Sequence, residues 1–378
     1  MNQSLFHQTK LSHIATQVLG WAFFMLIIGC TNEASVSTEH WGELNGEPVW
    51  HYTITNPNGA SMKVTNYGGI ITSVNVPDKN GKLEDVVLGF DNLKQYQDPN
   101  PCFGATIGRF ANRIKQGTFV IDSITYNLDT NDGKHCIHGA NEFNTVVWES
   151  EIVREASGVG VRLHYLSVDG TKGFPGNLDA IVTYLFSPEN EVIVRFEATT
   201  DKATHVSMTQ HSYFNLNGVK SPVYDHLIRI DASRYTEIDD EVVPTGVLAP
   251  VENTDWDLTS LTRIGDNIHK LNNNGYHFCY VFDKEPGAFK KVIEVYEPES
   301  GRTLEVSTTQ PSVQFYSGNT IDNQLKGKQG IQYRPHMAFC LETQHLPDSP
   351  NKPQFPSTLL KPGEKYMEQV VYKFGVKK

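Results

Sequence analysis

The stretch 159–198, VGVRLHYLSVDGTKGFPGNLDAIVTYLFSPENEVIVRFEA, decides the fold. Residues 159–166, 180–186 and 191–198 are short segments with the apolar alternation of half-buried strands. Asp169-Gly170, between the first two, is a dipeptide that tolerates positive φ and reverses the chain. The pattern repeats outward at 49–55 (VWHYTIT), 62–66, 70–76, 119–126, 292–296, 303–307 and 368–374. The turns Asn56-Pro57-Asn58-Gly59, Asp78-Lys79-Asn80-Gly81, Asp132-Gly133 and Glu299-Ser300-Gly301 punctuate it. No stretch holds a long 3.6-residue period, and only 93–97 and 261–271 read as short helices. So many strands in one long chain predict an all-β fold, a large antiparallel β-sandwich over residues 41–378.

The N-terminus has another character. Lys10 is the only formal charge before Glu33, and 18–29 (VLGWAFFMLIIG) is apolar but shorter than the roughly 20 residues of a membrane span. It ends in Ile27-Ile28-Gly29-Cys30, the pattern of a bacterial lipobox. Residues 1–29 are expected to be a lipoprotein signal peptide, Cys30 the lipidated first residue after cleavage, and 30–40 a polar tether. The expected location is outside the cytoplasm, in the periplasm or at the outer membrane, held to a membrane by the lipid at Cys30. Cys102, Cys136, Cys279 and Cys340 have neither CxxC nor metal-ligand spacing and are expected to be free, mostly buried thiols. With 32 Lys+Arg against 43 Asp+Glu, the net charge of −11 argues against nucleic acid as a partner. It suits a neutral small molecule.

Several polar residues sit in surroundings that give them chemical interest. His211 lies within Gln210-His211-Ser212-Tyr213-Phe214-Asn215, and His138 within Cys136-Ile137-His138-Gly139. Glu342 lies inside the apolar run Phe339-Cys340-Leu341-Glu342, where a carboxylate is costly unless paired or used. Asn112, Arg113 and Gln314 add strong hydrogen-bonding groups. Each alone has an ordinary structural explanation, and they are too far apart in sequence for spacing to join them. The residues themselves therefore leave sugar chemistry, hydrolysis and plain binding open.

The segments GRFANRI (108–114), CIHG (136–139), GFPG (173–176), QHSYFNLNG (210–218), VPTG (243–246), TTQPSVQFYSGN (308–319), FCLETQHLPDSPNKPQFP (339–356) and LLKPGEKY (359–366) narrow the choice. In this order the chain resembles the galactose mutarotase (aldose 1-epimerase) family across about residues 41–376. The resemblance implies a β-sandwich with the sugar in an open cleft. It implies Glu342 as the base on the anomeric hydroxyl, His211 as the acid on the ring oxygen, and His138 as a second group near that oxygen. Asn112, Arg113 and Gln314 are implied as hydroxyl ligands, with no cofactor and no metal. Opening a hemiacetal needs one proton removed and one delivered, which a carboxylate and an imidazole can do together. One position departs from the family. Its usual aspartate, a binder of sugar hydroxyls, is replaced by His277 in Gly275-Tyr276-His277-Phe278-Cys279. His277 is expected to line the cleft, to alter sugar preference, and to do so with a pH dependence between about 5.5 and 7.5. Two other readings compete with this one. A sugar-binding lipoprotein with weak or no turnover would not need the Glu342/His211 pair, and a glycosidase would need a second carboxylate.

Overall fold

The computed structural model describes residues 33–271 and 274–377. Residues 1–29, expected to be a signal peptide, and Cys30 lie outside them. Among the described residues, three antiparallel sheets make up the body. A nine-stranded sheet runs from Glu149–Glu155 through Gly158–Ser167, Leu178–Phe186 and Glu191–Thr200. It continues through Tyr366–Val376, Arg302–Thr308, Lys290–Tyr296 and Leu227–Ile230 to Thr262–Arg263. A six-stranded sheet has the order Tyr213–Phe214, Phe339–Gln344, Ser312–Tyr316, His277–Val281, Arg234–Ile238, Pro244–Pro250. A five-stranded sheet holds the N-terminal strands from Ser35–Leu44 to Leu83–Asp85. All three feed one hydrophobic core. Val64 comes from the five-stranded sheet, Val182, Phe196 and Tyr372 from the nine-stranded, and Phe315, Phe339 and Leu341 from the six-stranded. The all-β sandwich is the expected one, and the short helices at Leu93–Gln97 and Ile264–Asn267 fall where they were expected.

Two boundaries differ from expectation. Residues 35–40, expected as tether, are the first part of the strand Ser35–Leu44, paired with Glu47–Thr55. This strand is at a sheet edge and mostly exposed, so SVSTEH needs no apolar alternation to hold its place. The segment 119–126 is two strands, Thr118–Ile121 and Ile124–Asn127, closed into a hairpin by Asp122 and Ser123 at φ of 49° and 66°. That two-residue turn lacks the glycine or asparagine that usually announces positive φ. The four cysteines are free thiols, with Cys102 partly exposed and the others buried.

The six-stranded sheet carries the site. Val313, Phe315, Phe339 and Leu341 face the main core, so the residues between them face the other way. Register then sets a row: Cys279 pairs with Gln314, and Gln314 with Glu342. His277, two residues before Cys279, shares their face.

Candidate active site

Glu342 and His211 meet at the centre of this face. Glu342 is 2% exposed and His211 5%, and the His211 Nε2 lies 3.5 Å from a carboxylate oxygen of Glu342. His211 comes from the strand Thr209–His211, which pairs with Ala105–Ile107. Its ring lies flat against Tyr213, with centroids 5.1 Å apart and planes 9° apart. Tyr213 follows two residues later, and its ring fixes the imidazole's tilt by packing. The His211 Nδ1 and the Glu342 Oε2 are buried without a hydrogen-bond partner among the described residues. Buried polar atoms left open in this way mark a place where a ligand is expected.

Burial dominates the electrostatics. It pushes the Glu342 carboxyl up to about 8, although the Arg113 guanidinium pulls the other way. It pushes the His211 imidazole down to about 4, helped by the nearby His277. From about pH 4 to about pH 8 the pair therefore holds one proton between its two members.

His138 joins them through two short elements whose backbones interlock. Cys136–Ile137 pairs with Arg113–Ile114, and the His138 N–H donates to the Asn112 carbonyl. The next residue must be glycine: Gly139 has a φ of 60°, and a Cβ there would sit 2.1 Å from the Gly108 carbonyl oxygen. The Asn112 N–H donates to the His138 Nδ1 at 3.2 Å. A backbone amide cannot reverse its role, so neutral His138 carries its proton on Nε2 and presents a donor. Its ring centroid is 5.2 Å from that of His211. Burial holds His138 well below the usual histidine range, with His211, Arg113 and His277 adding to the effect.

Donor atoms of His138, His211 and Glu342 all lie within 4.8 Å of one another, close enough for a divalent ion by distance alone. The protonation pattern fits poorly. The one His138 lone pair of the neutral ring is taken by the Asn112 N–H, and metal binding at Nε2 would require that nitrogen to lose its proton.

The predicted ligands ring this centre. Arg113, Asn112, Gln314 and His277 line one cleft, together with Thr236, Ile238 and Pro244. Asn112 is mostly engaged within the protein: its side-chain amide donates to the Gln314 Oε1 at 3.2 Å, and its Oδ1 accepts the Arg113 N–H at 2.8 Å. Asn112 thus orients Gln314 so that the Gln314 NH2 is left for a ligand. His277 is in the cleft as expected, 5.3 Å from the Tyr316 ring. Burial lowers its pKa to about 4, with Arg113 lowering it further and Asp132 opposing, so its charge changes below the expected window of about pH 5.5–7.5.

Two residues outside the sequence-derived set support the site. Arg109, fully buried, donates to Ser167 Oγ and to the carbonyls of Ser167, Val168, Pro175 and Gly176, which ties the 108–114 segment to the GFPG turn. Tyr213 packs His211. The alternation of QHSYF, with His211 and Tyr213 on the same side, is the signal that would have found it. A cavity of about 770 Å³ between Trp50, Trp148 and Tyr165 contains none of these groups, so chemistry rather than volume locates the site.

Comparison with known proteins fits this geometry. The aldose 1-epimerase family description matches residues 51–373. A galactose mutarotase of Rattus norvegicus is 42% identical over 348 residues, covering 90% of this chain and 99% of the relative. An aldose 1-epimerase of Escherichia coli (strain K12) is 33% identical over 339 residues, covering 87% of this chain and 96% of the relative. The crystal structure of a GalM/aldose epimerase homologue from C. elegans superposes with a TM-score of 0.78 at 30% identity, covering 85% of this chain and 97% of that one. On the family match and these identities, the chain belongs to the aldose 1-epimerase family.

Proposed function

We propose that the protein interconverts the α and β anomers of free aldoses of the galactose and glucose type, with Glu342 and His211 as its proton-transfer pair. The observation that carries this reading is a carboxyl and an imidazole buried together 3.5 Å apart, with burial shifting their proton affinities in opposite directions. Moving the carboxyl proton from Glu342 to His211 gives a carboxylate and an imidazolium, and Arg113 favours the carboxylate. Glu342 then takes the proton from the anomeric O1–H while His211 delivers its own to the ring oxygen. The C1–O5 bond breaks and C1 becomes an aldehyde. Rotation about C1–C2 presents the other face, and the reverse transfers close the ring. The pair ends each turnover with one proton, as it began. His138, through its Nε2–H, supports the ring oxygen. Arg113, Gln314 and His277 hold hydroxyls, with Asn112 orienting Gln314. Turnover sets this apart from a sugar-binding role, which would leave the buried pair without a purpose.

The test is polarimetry of freshly dissolved α-D-galactose and α-D-glucose. The wild-type protein is expected to speed the approach to equilibrium. Glu342→Gln, close in shape but unable to act as a base, is expected to lose about 10²–10⁴-fold in kcat. A folded Glu342→Gln protein with near-wild-type turnover would refute the assignment.

We also infer that the protein is exported and anchored by a lipid on Cys30, on the strength of the apolar run 18–29 and the Ile27-Ile28-Gly29-Cys30 pattern. Expressed in a bacterium with its own leader, it is expected to fractionate with membranes, and Cys30→Ala to release or mislocalise it. An entirely soluble wild-type protein with an unmodified N-terminus would refute this.

A further inference from the structure

Beside the cleft lies an open surface depression of about 490 Å³ whose lining includes Asp132, Lys134, His135, Glu241 and the two residues it shares with the cleft, Arg113 and Val242. Arg113 stands at the junction, and Asp132 holds it from the side of the depression. The Asp132 Oδ2 accepts from the Arg113 Nε at 2.7 Å. The Arg113 side chain is 12% exposed and that of Asp132 40%. The bond uses one edge of the guanidinium. The two Nη groups of Arg113 and the Oδ1 of Asp132 have no hydrogen-bond partner among the described residues. Donors and an acceptor held side by side suit neighbouring hydroxyls, which both give and receive hydrogen bonds.

The turn that carries Asp132 is held firmly. The Asn131 and Asp132 N–H groups donate to the His135 carbonyl, and the His135 N–H donates back to Asp132. The Asn131 side chain bonds both the N–H and the carbonyl of Ile137. Lys134 pairs with Glu241 at 2.5 Å, and the Gln116 N–H donates to the His135 Nδ1 at 3.1 Å. Asp132 is therefore placed before any ligand arrives, which lowers the ordering cost of binding.

Position 277 shares the cleft with Arg113. The charge of Arg113 disfavours a proton on His277, and that of Asp132 favours one, so both stand within electrostatic reach of that ring. Position 277 holds an imidazole where the family resemblance implies a carboxylate, and the Asp132 carboxylate, from another segment, is bonded to the Arg113 that shares its cleft. We propose that Asp132, coupled to Arg113, is a specificity-determining residue of this chain and supplies the carboxylate that reads the sugar's hydroxyls in place of position 277. The proposal rests on the mutarotase reading above.

It predicts a characteristic coupling. Asp132→Asn keeps the shape but weakens the hold on Arg113 and removes the charge from the free acceptor. His277→Asp in the wild-type background puts a second negative charge beside Asp132 and disfavours binding. The same change in the Asp132→Asn background restores a single carboxylate. A merely structural role for Asp132 gives no such reversal of sign.

The experiment is kcat and KM by polarimetry for galactose and glucose with the full chain, for wild type, both single variants and the double variant, each with a thermal melt. Asp132→Asn is expected to raise KM about 10- to 100-fold with kcat within about threefold. His277→Asp alone is expected to raise KM, and in the double variant to bring KM back to within about fivefold of wild type. A change in KM under twofold for Asp132→Asn, or a His277→Asp effect of the same sign in both backgrounds, overturns the proposal. Should Asp132→Asn fail to fold, His277→Asp alone decides: a raised KM supports it, and an unchanged or lowered KM overturns it. A wild-type protein without mutarotase activity would instead refute the function on which the proposal rests.

Discussion

His164 and His211 are both histidines beside carboxylates, and they behave in opposite ways. His164 sits on the nine-stranded sheet with its two nitrogens 3.2 Å from Glu149 and 2.8 Å from Asp179. Its side chain is 39% exposed. Partial burial lowers its pKa, but the hydrogen bonds and charges of the two carboxylates outweigh that and leave it raised. His211 faces a single carboxylate at 3.5 Å with both side chains nearly inaccessible, and burial drives the two groups toward their neutral forms. The same residue types make a surface ion pair in one place and a buried pair of neutral groups in the other. Solvent decides between them. Water at His164 stabilises both charges, while its exclusion at His211 favours the neutral carboxyl and the neutral imidazole.

The largest effects should fall on one side of this comparison only. His211→Gln is expected to cut kcat about 10²–10⁴-fold, whereas His164→Gln is expected to leave it within about twofold, both read by polarimetry. Equal losses at both positions would erase the distinction.

Stability should show the reverse preference. The folded-state pKa of Glu342 is raised to about 8, so folding favours its protonated form and stability is lost as pH rises from the ordinary carboxyl range through about 8. Glu342→Gln removes that loss. Its Tm is expected to exceed the wild-type value, and the excess to be larger at pH 7.5 than at pH 5. One pKa unit is about 1.4 kcal/mol, so the relief at pH 7.5 is on the order of a few kcal/mol. An excess that shrinks as pH rises would contradict the buried, protonated carboxyl. For His164 the pH trend is the same, but the substitution acts in the opposite direction. Its raised pKa contributes stability that is present at low pH and is lost as pH rises through the folded value, so His164→Gln should lower Tm slightly near pH 5.5 and not at pH 8.5. Exposed pairs of this kind contribute about 0.2–1 kcal/mol.

A smaller effect tests what holds His211 in place. Tyr213→Leu removes the stacked ring but no proton-transfer group, and is expected to reduce kcat about 3- to 10-fold with the pH profile unchanged, in line with about 0.5–1.5 kcal/mol for a ring pair. A displaced pH profile would show that Tyr213 also sets the proton affinity of its neighbour.

How much of this was legible in the sequence follows from what each region had to satisfy. Strands with one face in the core write their role into the chain: Arg302–Thr308 alternates buried and half-buried residue by residue, and its segment 303–307 was readable as a strand. The edge strand Ser35–Leu44 has little to bury, so its first residues read as tether. The site was legible only in pieces. The cost of a carboxylate in FCLETQ singled out Glu342, and Phe339–Gln344 is buried at every position. Its partners stand as far off as Asn112, and the pairing of Gln314 with Glu342 is a fact of sheet register that spacing does not encode. The family motifs gathered the residues; the structure supplied their distances. Asp132 went unrecognised because an Asp-Gly turn explains itself, and nothing local shows that its carboxylate reaches Arg113. The place of His277 was foreseeable, but its titration range was not, because burial is a property of the fold.

The central claim is that one proton shared between Glu342 and His211 drives ring opening and closure. The most direct measurement is the pH dependence of kcat/KM for galactose, corrected for spontaneous mutarotation. Below about pH 4 both groups are protonated and no base remains; above about pH 8 both are deprotonated and no acid remains. The account predicts a broad plateau that falls on both sides near these values and is reduced throughout in Glu342→Gln. A single inflection near pH 6.5, the ordinary histidine value, retained in Glu342→Gln, would contradict it.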